Sequence, residues 1–219
     1  GNSNHLRRWL MSMPPAYNGT AFFNFIASHD GIGLRPVEGI MTEKEIDALA
    51  QQIESFGGAI SWRTVSGQVK RPYELNISLF DALKGTLKGL DRFNQARFLC
   101  AHAIMLGLEG IPGIYIHSLL ATGNDHIKMA FSGQNRAINR HQWDMVDLES
   151  ELSDNHSRHQ QVLSNLLGLI RVRTEQPAFH PNATQFTLQL RDELLGFWRQ
   201  SLSRRQSIFC ISNVTDTIQ

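Results

Sequence analysis

A histidine and an aspartate stand side by side where an apolar run ends, in the segment FFNFIASHDGIG, residues 22–33. A carboxylate at the end of a buried strand can stabilise positive charge, and an imidazole beside it can donate to a hydroxyl. Gly31 and Gly33 let the backbone turn without a Cβ. His29 and Asp30 are therefore candidate site residues. The alternative is that Asp30 only ends the strand as a turn or helix-cap residue.

Arg140, in the segment NRAINRHQW at 135–143, is a further candidate. A guanidinium presents its donors in a fixed fork that fits two hydroxyls or one carboxylate. A structural ion pair is the alternative interpretation. We expect the neighbouring His141 to be structural. Asn124 and Asp125 in the segment TGND either border a site or form a turn.

Two apolar runs predict the strands that carry such residues. The segments AFFNFIAS (21–28) and IPGIYIH (111–117) are apolar on both faces, which is typical of parallel strands covered by helices. A helix is predicted over TEKEIDALAQQIESFG, because Thr42 and Glu45 match a capping box and Gly57 follows the last turn.

Other elements follow from the same patterns. A hairpin is predicted around Ser66 and Gly67, and the polar stretch 118–154 is expected to be irregular with short helical turns. Further helices are predicted at 5–13, 77–84, 91–108 and 155–175. The last of these has an apolar stripe formed by Val162, Leu166, Leu169, Ile170 and Val172.

The pattern changes near residues 177–182. After this point the segments TQFTLQL, LLGFWRQS and QSIFCISNV carry β-branched and aromatic residues, separated by short polar turns. Before it, strands and helices alternate. We therefore predict an α/β part at 1–178 and the start of an all-β domain at 179–219, which is cut short at the end of the chain.

Composition excludes several function classes. The net charge is +1 with no basic block, so we expect no nucleic-acid partner. No apolar run reaches about 18 residues, so we expect no membrane partner. The two cysteines, Cys100 and Cys210, lie in apolar segments and fit buried thiols in a reducing compartment, which predicts a cytoplasmic location. We expect no metal and no cofactor.

Several segments in the same order resemble one enzyme family. FFNFIASHDGIGLRP resembles the seventh-strand motif of glycoside hydrolase family 13, the α-amylase superfamily, and its SHDGIG form is closest to the sucrose-phosphorylase branch. PYELN (72–76) resembles a loop beside the acceptor site of that branch. GIPGIYIHSLLATGND resembles the eighth strand with its loop, NRAINRHQW the segment before the last barrel helix, and FHPNATQFTLQL the start of the β-rich C-terminal domain.

The resemblance implies a fold and the positions of the family's catalytic residues. The family fold is a (β/α)8 TIM barrel with its site at the carboxyl ends of the strands. The chain is expected to hold strands seven and eight with their helices, followed by a partial antiparallel β domain. The family's nucleophilic aspartate and its acid/base glutamate follow strands four and five, so neither is expected here. With both missing, we expect the chain as given to be inactive.

The resemblance also implies roles for single residues. Asp30 matches the third carboxylate of the family, which stabilises the transition state, and His29 is expected to donate to a glucose hydroxyl. Arg140 is expected to bind the sugar, and Tyr73 and Glu74 to face the acceptor. Sucrose-specific members usually carry glutamine at the position of Glu74. This departure favours another acceptor, such as glycerate.

The function implied is that of a retaining α-glucoside-active enzyme, represented by a fragment. A glucosyl phosphorylase acting on sucrose or glucosylglycerate is favoured, with a sugar and inorganic phosphate as partners. An α-glucosidase or amylase-type hydrolase fragment is one alternative, and a non-catalytic truncated remnant is another. Because two barrel strands cannot close a barrel, we expect either a homodimer or association with the missing barrel half.

Overall fold

The computed structural model describes residues 1–65, 67 and 69–217 of the chain. These residues form two compact units. The first contains residues 1–25 and 99–113 and the described part of 165–219, and the second contains the described residues within 26–98 and 114–164. The predicted boundary between 178 and 179 remains a proposal.

The helices of the described residues range from single turns to five turns. They are α1 (Asn4–Ser12), α2 (Glu43–Ser55), α3 (Leu79–Ala82), α4 (Asn94–Gly107), α5 (Ile116–Leu119), α6 (His126–Ser132), α7 (Met145–Ser153) and α8 (Arg158–Glu175). Short 3-10 turns occur at Arg35–Val37, Asn135–Asn139 and Pro177–Phe179. None of the helices within the described ranges is both long enough and apolar enough to cross a membrane.

The strands are mostly short. They are β1 (Phe23–Asn24), β2 (Ile32–Gly33), β3 (Ala59–Thr64), β4 (Lys70–Asn76), β5 (Gly85–Thr86), β6 (Gly89–Leu90), β7 (Ile111–Pro112), β8 (Thr184–Thr187), β9 (Leu194–Gln200) and β10 (Ser207–Asn213). Apart from the two-residue pair β5–β6, they form one parallel pair, β1–β7, and two antiparallel three-stranded sheets, β10–β9–β8 and β2–β4–β3.

The first unit contains the parallel pair and the C-terminal sheet. In the parallel pair, Phe23 lies opposite Ile111. In the C-terminal sheet, Trp198 lies opposite Phe186 on one neighbour and opposite Phe209 on the other. Its ring stacks on both, with centroid distances of 4.9 Å and 5.9 Å. The structure confirms the three predicted C-terminal strands. The stacked aromatic side chains favour this alignment of the strands over a shifted one.

Two buried arginines hold the end of α4 in the first unit. Arg199 is 0% exposed and donates to the carbonyl oxygens of Gly107, His180 and Ala183. Arg173 donates to the carbonyl oxygens of Leu106, Leu108 and Gly110. The last carbonyls of a helix lack partners within the helix, so these guanidinium groups satisfy them.

The second unit is built around the sheet β2–β4–β3 and helix α2. Leu34, Ile53, Phe56, Ile60 and Leu75 are buried together in its core. This packing explains why β2 forms at all. A two-residue segment that follows Gly31 and contains Gly33 has little strand signal, but Ile32 pairs with Leu75 on the central strand of the sheet.

Helix α2 begins and ends as predicted. The Thr42 hydroxyl accepts from the Glu45 backbone N–H, and the Glu45 carboxylate accepts from the Thr42 backbone N–H at 2.7 Å, which completes the capping box. Gly57 follows the helix with φ +82°. The hairpin β3–β4 is also present, although Ser66, at its predicted turn, lies outside the described residues.

The two predicted parallel strands are shorter and more exposed than expected. The strand in AFFNFIAS covers only Phe23–Asn24, and the side chains of Phe23 and Phe25 are 66% and 56% exposed. Within the described residues β1 has one strand neighbour, β7, so its other edge lacks a partner. The prediction that IPGIYIH is a strand is wrong beyond residue 112. There the chain folds into α5, whose first turn hydrogen-bonds to the Tyr115 carbonyl.

Two helix predictions need correction. The predicted helix at 77–84 is one turn, Leu79–Ala82, because Ser78 caps it at its start. Val172 was predicted to belong to the apolar stripe of α8, but it is 52% exposed, whereas the next residue, Arg173, is buried. The carbonyl groups at the end of α4 provide the partners that bury the arginine. Cys100 and Cys210 are unpaired, as expected, and burial raises the pKa of both thiols.

Candidate functional site

His29 and Asp30 lie at the tip of a tight turn in the second unit. Ser28 and Gly31 exchange two backbone hydrogen bonds of 3.1 Å each, and the Asp30 backbone N–H donates to the Ser28 hydroxyl. Gly31 has φ +113°, and a Cβ there would lie 2.2 Å from the Leu75 carbonyl oxygen. Only glycine fits this position, which confirms the sequence argument for Gly31. Gly33 has an ordinary φ, and a Cβ there would lie 3.9 Å from Pro36 Cδ, an ordinary contact, so its substitution meets no such obstacle.

Nitrogen atoms of three side chains lie close to one oxygen of the Asp30 carboxylate. Its Oδ1 accepts from Arg140 Nη2 at 2.9 Å, and it lies 3.2 Å from Arg136 Nη1 and 3.3 Å from His29 Nε2. The Asp30 side chain is 32% exposed. The turn role and a site role are therefore compatible, because the turn presents the carboxylate to solvent and to two cations.

Arg140 and the residue after it are held to α6 and its capping residue. The side chain of Lys128 donates to the Arg140 carbonyl oxygen. His141 Nδ1 lies 2.7 Å from Asp125 Oδ2, and Asp125 also caps α6 by accepting from the Lys128 backbone N–H. Burial alone would raise the pKa of the Asp125 carboxyl, but the hydrogen bonds from Lys128 and His141 outweigh it and lower that pKa. These contacts favour the structural role expected of His141 and a capping role for Asp125.

Glu74 is buried and forms a two-point contact with Arg136. Arg136 Nε donates to Glu74 Oε2 at 2.9 Å, and Nη2 donates to Oε1 at 3.0 Å. The Asn76 amide also donates to Glu74 Oε2 and, through the same nitrogen, to the Asp30 carbonyl oxygen, both at 3.0 Å. The Glu74 side chain is 8% exposed, whereas that of Arg136 is 41% exposed. The bonds to Glu74 raise the pKa of the Arg136 guanidinium.

Tyr73 and Tyr115 flank this group of charges. Tyr73 is half-buried on β4 directly before Glu74, and its carbonyl oxygen accepts from the Leu34 backbone N–H. The Tyr115 hydroxyl donates to the Asn139 carbonyl oxygen at 2.8 Å. Burial raises the pKa of the Tyr115 hydroxyl, and the Asp30 charge adds to the increase while Arg140 opposes it.

A row of rings extends from Tyr115 to His159. Successive pairs are Tyr115–His117, His117–His141, His141–Trp143 and Trp143–His159, each edge to face with centroids 5.0 to 6.5 Å apart. Edge-to-face geometry is the favoured arrangement for aromatic pairs. Burial lowers the pKa of His117, and charge repulsion from the nearby His141 lowers it further, although a backbone hydrogen bond with His141 opposes the decrease.

The structure brings the predicted site residues together in one unit. His29, Asp30 and Arg140 are in contact, and Glu74 reaches them through Arg136 and Asn76. Sequence reasoning missed Arg136 and Asn76. The signal for Arg136 was its spacing of four residues from Arg140 in NRAINRHQW. In the part of the chain that the structure describes, no three His, Cys, Asp or Glu side chains are grouped to hold a metal ion.

The arrangement is charge-balanced and open to solvent on one side. Two carboxylates, Asp30 and Glu74, face two guanidinium groups, Arg136 and Arg140. A fixed carboxylate next to solvent can stabilise a developing positive charge, and exposed guanidinium donors can bind hydroxyl or anionic groups. These are the requirements of a site for a polar ligand such as a sugar.

Comparison with known proteins gives consistent relatives. No protein-family model matches the chain. The chain is 42% identical over 221 residues to a glucosylglycerate phosphorylase of Allomeiothermus silvanus, with 100% of this chain and 39% of that protein covered. It is 36% identical over 187 residues to a glucosylglycerate phosphorylase of Escherichia coli, with 85% of this chain and 33% of that protein covered.

A solved structure supports the fold. The crystal structure of sucrose 6F-phosphate phosphorylase from Thermoanaerobacter thermosaccharolyticum aligns over 97% of this chain with a TM-score of 0.78 and 22% sequence identity, which covers 40% of that protein. At this identity the likeness concerns the fold alone. The expected class, the C-terminal part of an α/β enzyme, is confirmed. The chain spans less than half the length of these relatives, all of which are phosphorylases.

Proposed function

Because this chain corresponds to the C-terminal part of the sucrose-phosphorylase-like branch of glycoside hydrolase family 13, we propose that it carries the sugar-side and acceptor-side residues of a glucosyl phosphorylase. The favoured reaction is the phosphorolysis of glucosylglycerate, with sucrose as the second substrate to test. In the net reaction the bond from the glucosyl anomeric carbon to the glycerate oxygen breaks, and a phosphate oxygen takes the place of the glycerate oxygen on that carbon with retained configuration. The glycerate oxygen gains the proton that the phosphate loses. The products are glucose 1-phosphate and glycerate.

One observation carries this proposal. Asp30 stands at the tip of its turn with Arg140, Arg136 and His29 all at Oδ1. We assign the other oxygen, Oδ2, to a glucose hydroxyl, and we assign the negative charge of the carboxylate to the cationic transition state of glycosyl transfer. Because Arg140 also bonds the His29 carbonyl oxygen, it fixes the main chain and the side chain of the turn together.

Retaining glycosyl transfer needs two further carboxylates, about 5 to 5.5 Å apart, as nucleophile and acid/base. We assign neither role to a residue of this chain. The proposal is therefore that residues outside these 219 supply them, as part of a (β/α)8 barrel to which residues 1–178 contribute. We propose that residues 179–219 begin the β domain that follows the barrel.

The test uses the full-length gene product that contains this chain. The protein is incubated with glucosylglycerate and phosphate, and glucose 1-phosphate and free glucose are measured separately. A phosphorylase gives glucose 1-phosphate in proportion to the substrate consumed. Free glucose independent of phosphate would instead identify a hydrolase, and no turnover with glucosylglycerate or sucrose would leave the non-catalytic alternative.

The 219-residue chain by itself is the matched control. We expect it to release neither product, since residues that act as a catalytic unit lose nearly all activity when one is missing. Turnover by the chain alone approaching a typical ~1 to 10³ per second would contradict this assignment. The cytoplasmic location remains an expectation.

A further inference from the structure

Glu74, at the position expected to face the acceptor, has its oxygens engaged by protein. Oε1 accepts from Arg136, and Oε2 accepts from both Arg136 and Asn76. With its side chain 8% exposed, Glu74 has little surface left for a ligand. The group that it presents to solvent is Arg136, which it holds in a fixed orientation by two parallel hydrogen bonds.

We propose that Arg136 determines acceptor specificity by binding the anionic group of the molecule on the acceptor side, a small carboxylate or phosphate. This inference rests on the proposed function of the site. It assigns a role to Arg136 and explains the glutamate at position 74. There the carboxylate orients the guanidinium, and the guanidinium contacts the ligand.

The hydrogen-bond capacity of Arg136 supports this role. A guanidinium has five N–H donors. Glu74 takes two of them, and Nη1 lies 3.2 Å from Asp30 Oδ1. The side chain is 41% exposed, so donors remain within reach of a ligand. Because Nη1 lies 3.2 Å from Asp30 Oδ1, a ligand bound by the same guanidinium lies next to the carboxylate assigned to the glucosyl unit, which is where an acceptor has to lie.

The local charges also favour an anion. Glu74 without Arg136 would put a buried negative charge beside the acceptor and would repel an acid. With Arg136 and Arg140 opposite Asp30 and Glu74, the cluster is neutral. The side chains of Arg136 and Arg140 are 41% and 37% exposed, against 32% for Asp30 and 8% for Glu74, so the solvent-facing side carries two cations and one carboxylate. An anion is therefore attracted by the exposed side of the cluster.

The alternative role for Arg136 is purely structural, as a tie between Glu74 and Asp30. Both roles predict that removing Arg136 lowers activity. They differ in whether the loss depends on the charge of the acceptor. A structural tie affects a neutral and an anionic acceptor alike, whereas a binding role affects the anionic acceptor more.

The experiment compares glycerate with glycerol, its neutral counterpart, as acceptors of glucose from glucose 1-phosphate in the full-length protein. In Arg136→Gln the ratio of kcat/KM for glycerate to that for glycerol should fall about 10- to 100-fold, the range for charge-assisted hydrogen bonds. Arg136→Lys keeps the charge and should restore part of the ratio. Arg63→Gln removes a comparable ion pair, with Glu38 at 2.7 Å, and should leave the ratio unchanged.

A second arm separates the two sources of anion. The KM for phosphate is measured in the phosphorolysis direction for the same variants. A fall in the glycerate-to-glycerol ratio would show that Arg136 binds the carboxylate of the acceptor. A rise in the phosphate KM of Arg136→Gln that Arg136→Lys partly reverses would show that it binds phosphate. Either result supports the inference. Equal losses with glycerate and glycerol and an unchanged phosphate KM would overturn it. Absence of any transfer by the wild-type protein would instead refute the proposed function.

Discussion

Arg140 reaches Asp30 across 110 positions of the chain, with Nη2 2.9 Å from Oδ1. The same side chain donates through Nε to the His29 carbonyl oxygen at 3.1 Å. One guanidinium therefore fixes both the direction of the Asp30 carboxylate and the backbone that carries it. Contacts at two points restrict the orientation of the carboxylate, as a charge that acts on one position of a ligand requires.

The first prediction concerns the charge of Asp30 in the full-length protein. Asp30→Asn keeps the size of the side chain but removes the charge proposed to stabilise the transition state. We expect kcat to fall by about 10²- to 10³-fold, as for the loss of one oxyanion-hole donor, with little change in Tm because the side chain is 32% exposed. Steady-state kinetics and thermal unfolding measure both. Wild-type kcat in this variant would show that Asp30 is only a turn residue.

The second prediction concerns the backbone at Gly31. Gly31→Ala places a Cβ 2.2 Å from the Leu75 carbonyl oxygen at φ +113°, so the turn must shift. We expect a loss of about 2 kcal/mol or more in the free energy of unfolding. The control is Gly168→Ala in α8, where a Cβ meets nothing within 4 Å and φ is ordinary. This variant should be neutral or gain about 0.5 to 1 kcal/mol. Urea titration distinguishes them, and equal effects would refute the steric argument.

The third prediction concerns pH and His117. Burial is the main reason that the pKa of folded His117 lies below its ordinary value of 6.5. The unfolded chain therefore binds the proton more readily, so the contribution of His117 is fully present above pH 6.5 and is lost as the pH falls towards the lowered pKa.

The His117 contribution is measured as a difference between two proteins. Urea unfolding of the wild type and of His117→Gln is followed from pH 5 to pH 8, and the variant should lose less stability than the wild type below pH 6.5. His156 is exposed, so His156→Gln serves as the control and should follow the wild type. Parallel curves for the wild type and His117→Gln would show that His117 does not carry the effect.

The fourth prediction concerns the buried cation Arg199. Burial and the nearby Arg173 lower the pKa of the Arg199 guanidinium to about 10, so it remains charged at neutral pH. Arg199→Met leaves the carbonyl oxygens of Gly107, His180 and Ala183 without this donor. We expect a loss of about 2 to 4 kcal/mol, since unsatisfied buried acceptors are costly. The exposed Arg205→Met should stay within about 0.5 kcal/mol of the wild type.

The fifth prediction concerns association of the 219-residue chain. Phe23 and Phe25 are 66% and 56% exposed, and their ring centroids are 5.6 Å apart. Such a pair at an open strand edge favours contact with another chain, so we expect a homodimer by light scattering. Replacing both phenylalanines by serine should shift the mass towards the monomer. Phe131→Ser, at a side chain 95% exposed on α6, should not. A monomeric wild-type chain would contradict this prediction.

The sequence by itself determined the features that depend on neighbouring residues. The capping box of Thr42 and Glu45, the three C-terminal strands and the turn at His29–Asp30 follow from local patterns, and the structure has all of them. The resemblance selected His29, Asp30 and Arg140 in advance, and these residues are in contact.

Only the tertiary structure decided the features that depend on distant residues. Arg136 and Glu74 are 62 positions apart, so neither the bidentate contact nor the burial of Glu74 could be read from either segment. The burial of Arg173 also depends on distant residues, because its hydrogen-bond partners lie more than 60 positions away. Ile116 was predicted to lie in a strand, but it belongs to helix α5. The spacing of neighbouring residues determines which backbone conformation is favoured locally. The partner of a buried charge and the neighbour of a strand come from distant parts of the chain, so they are determined only when the chain has folded.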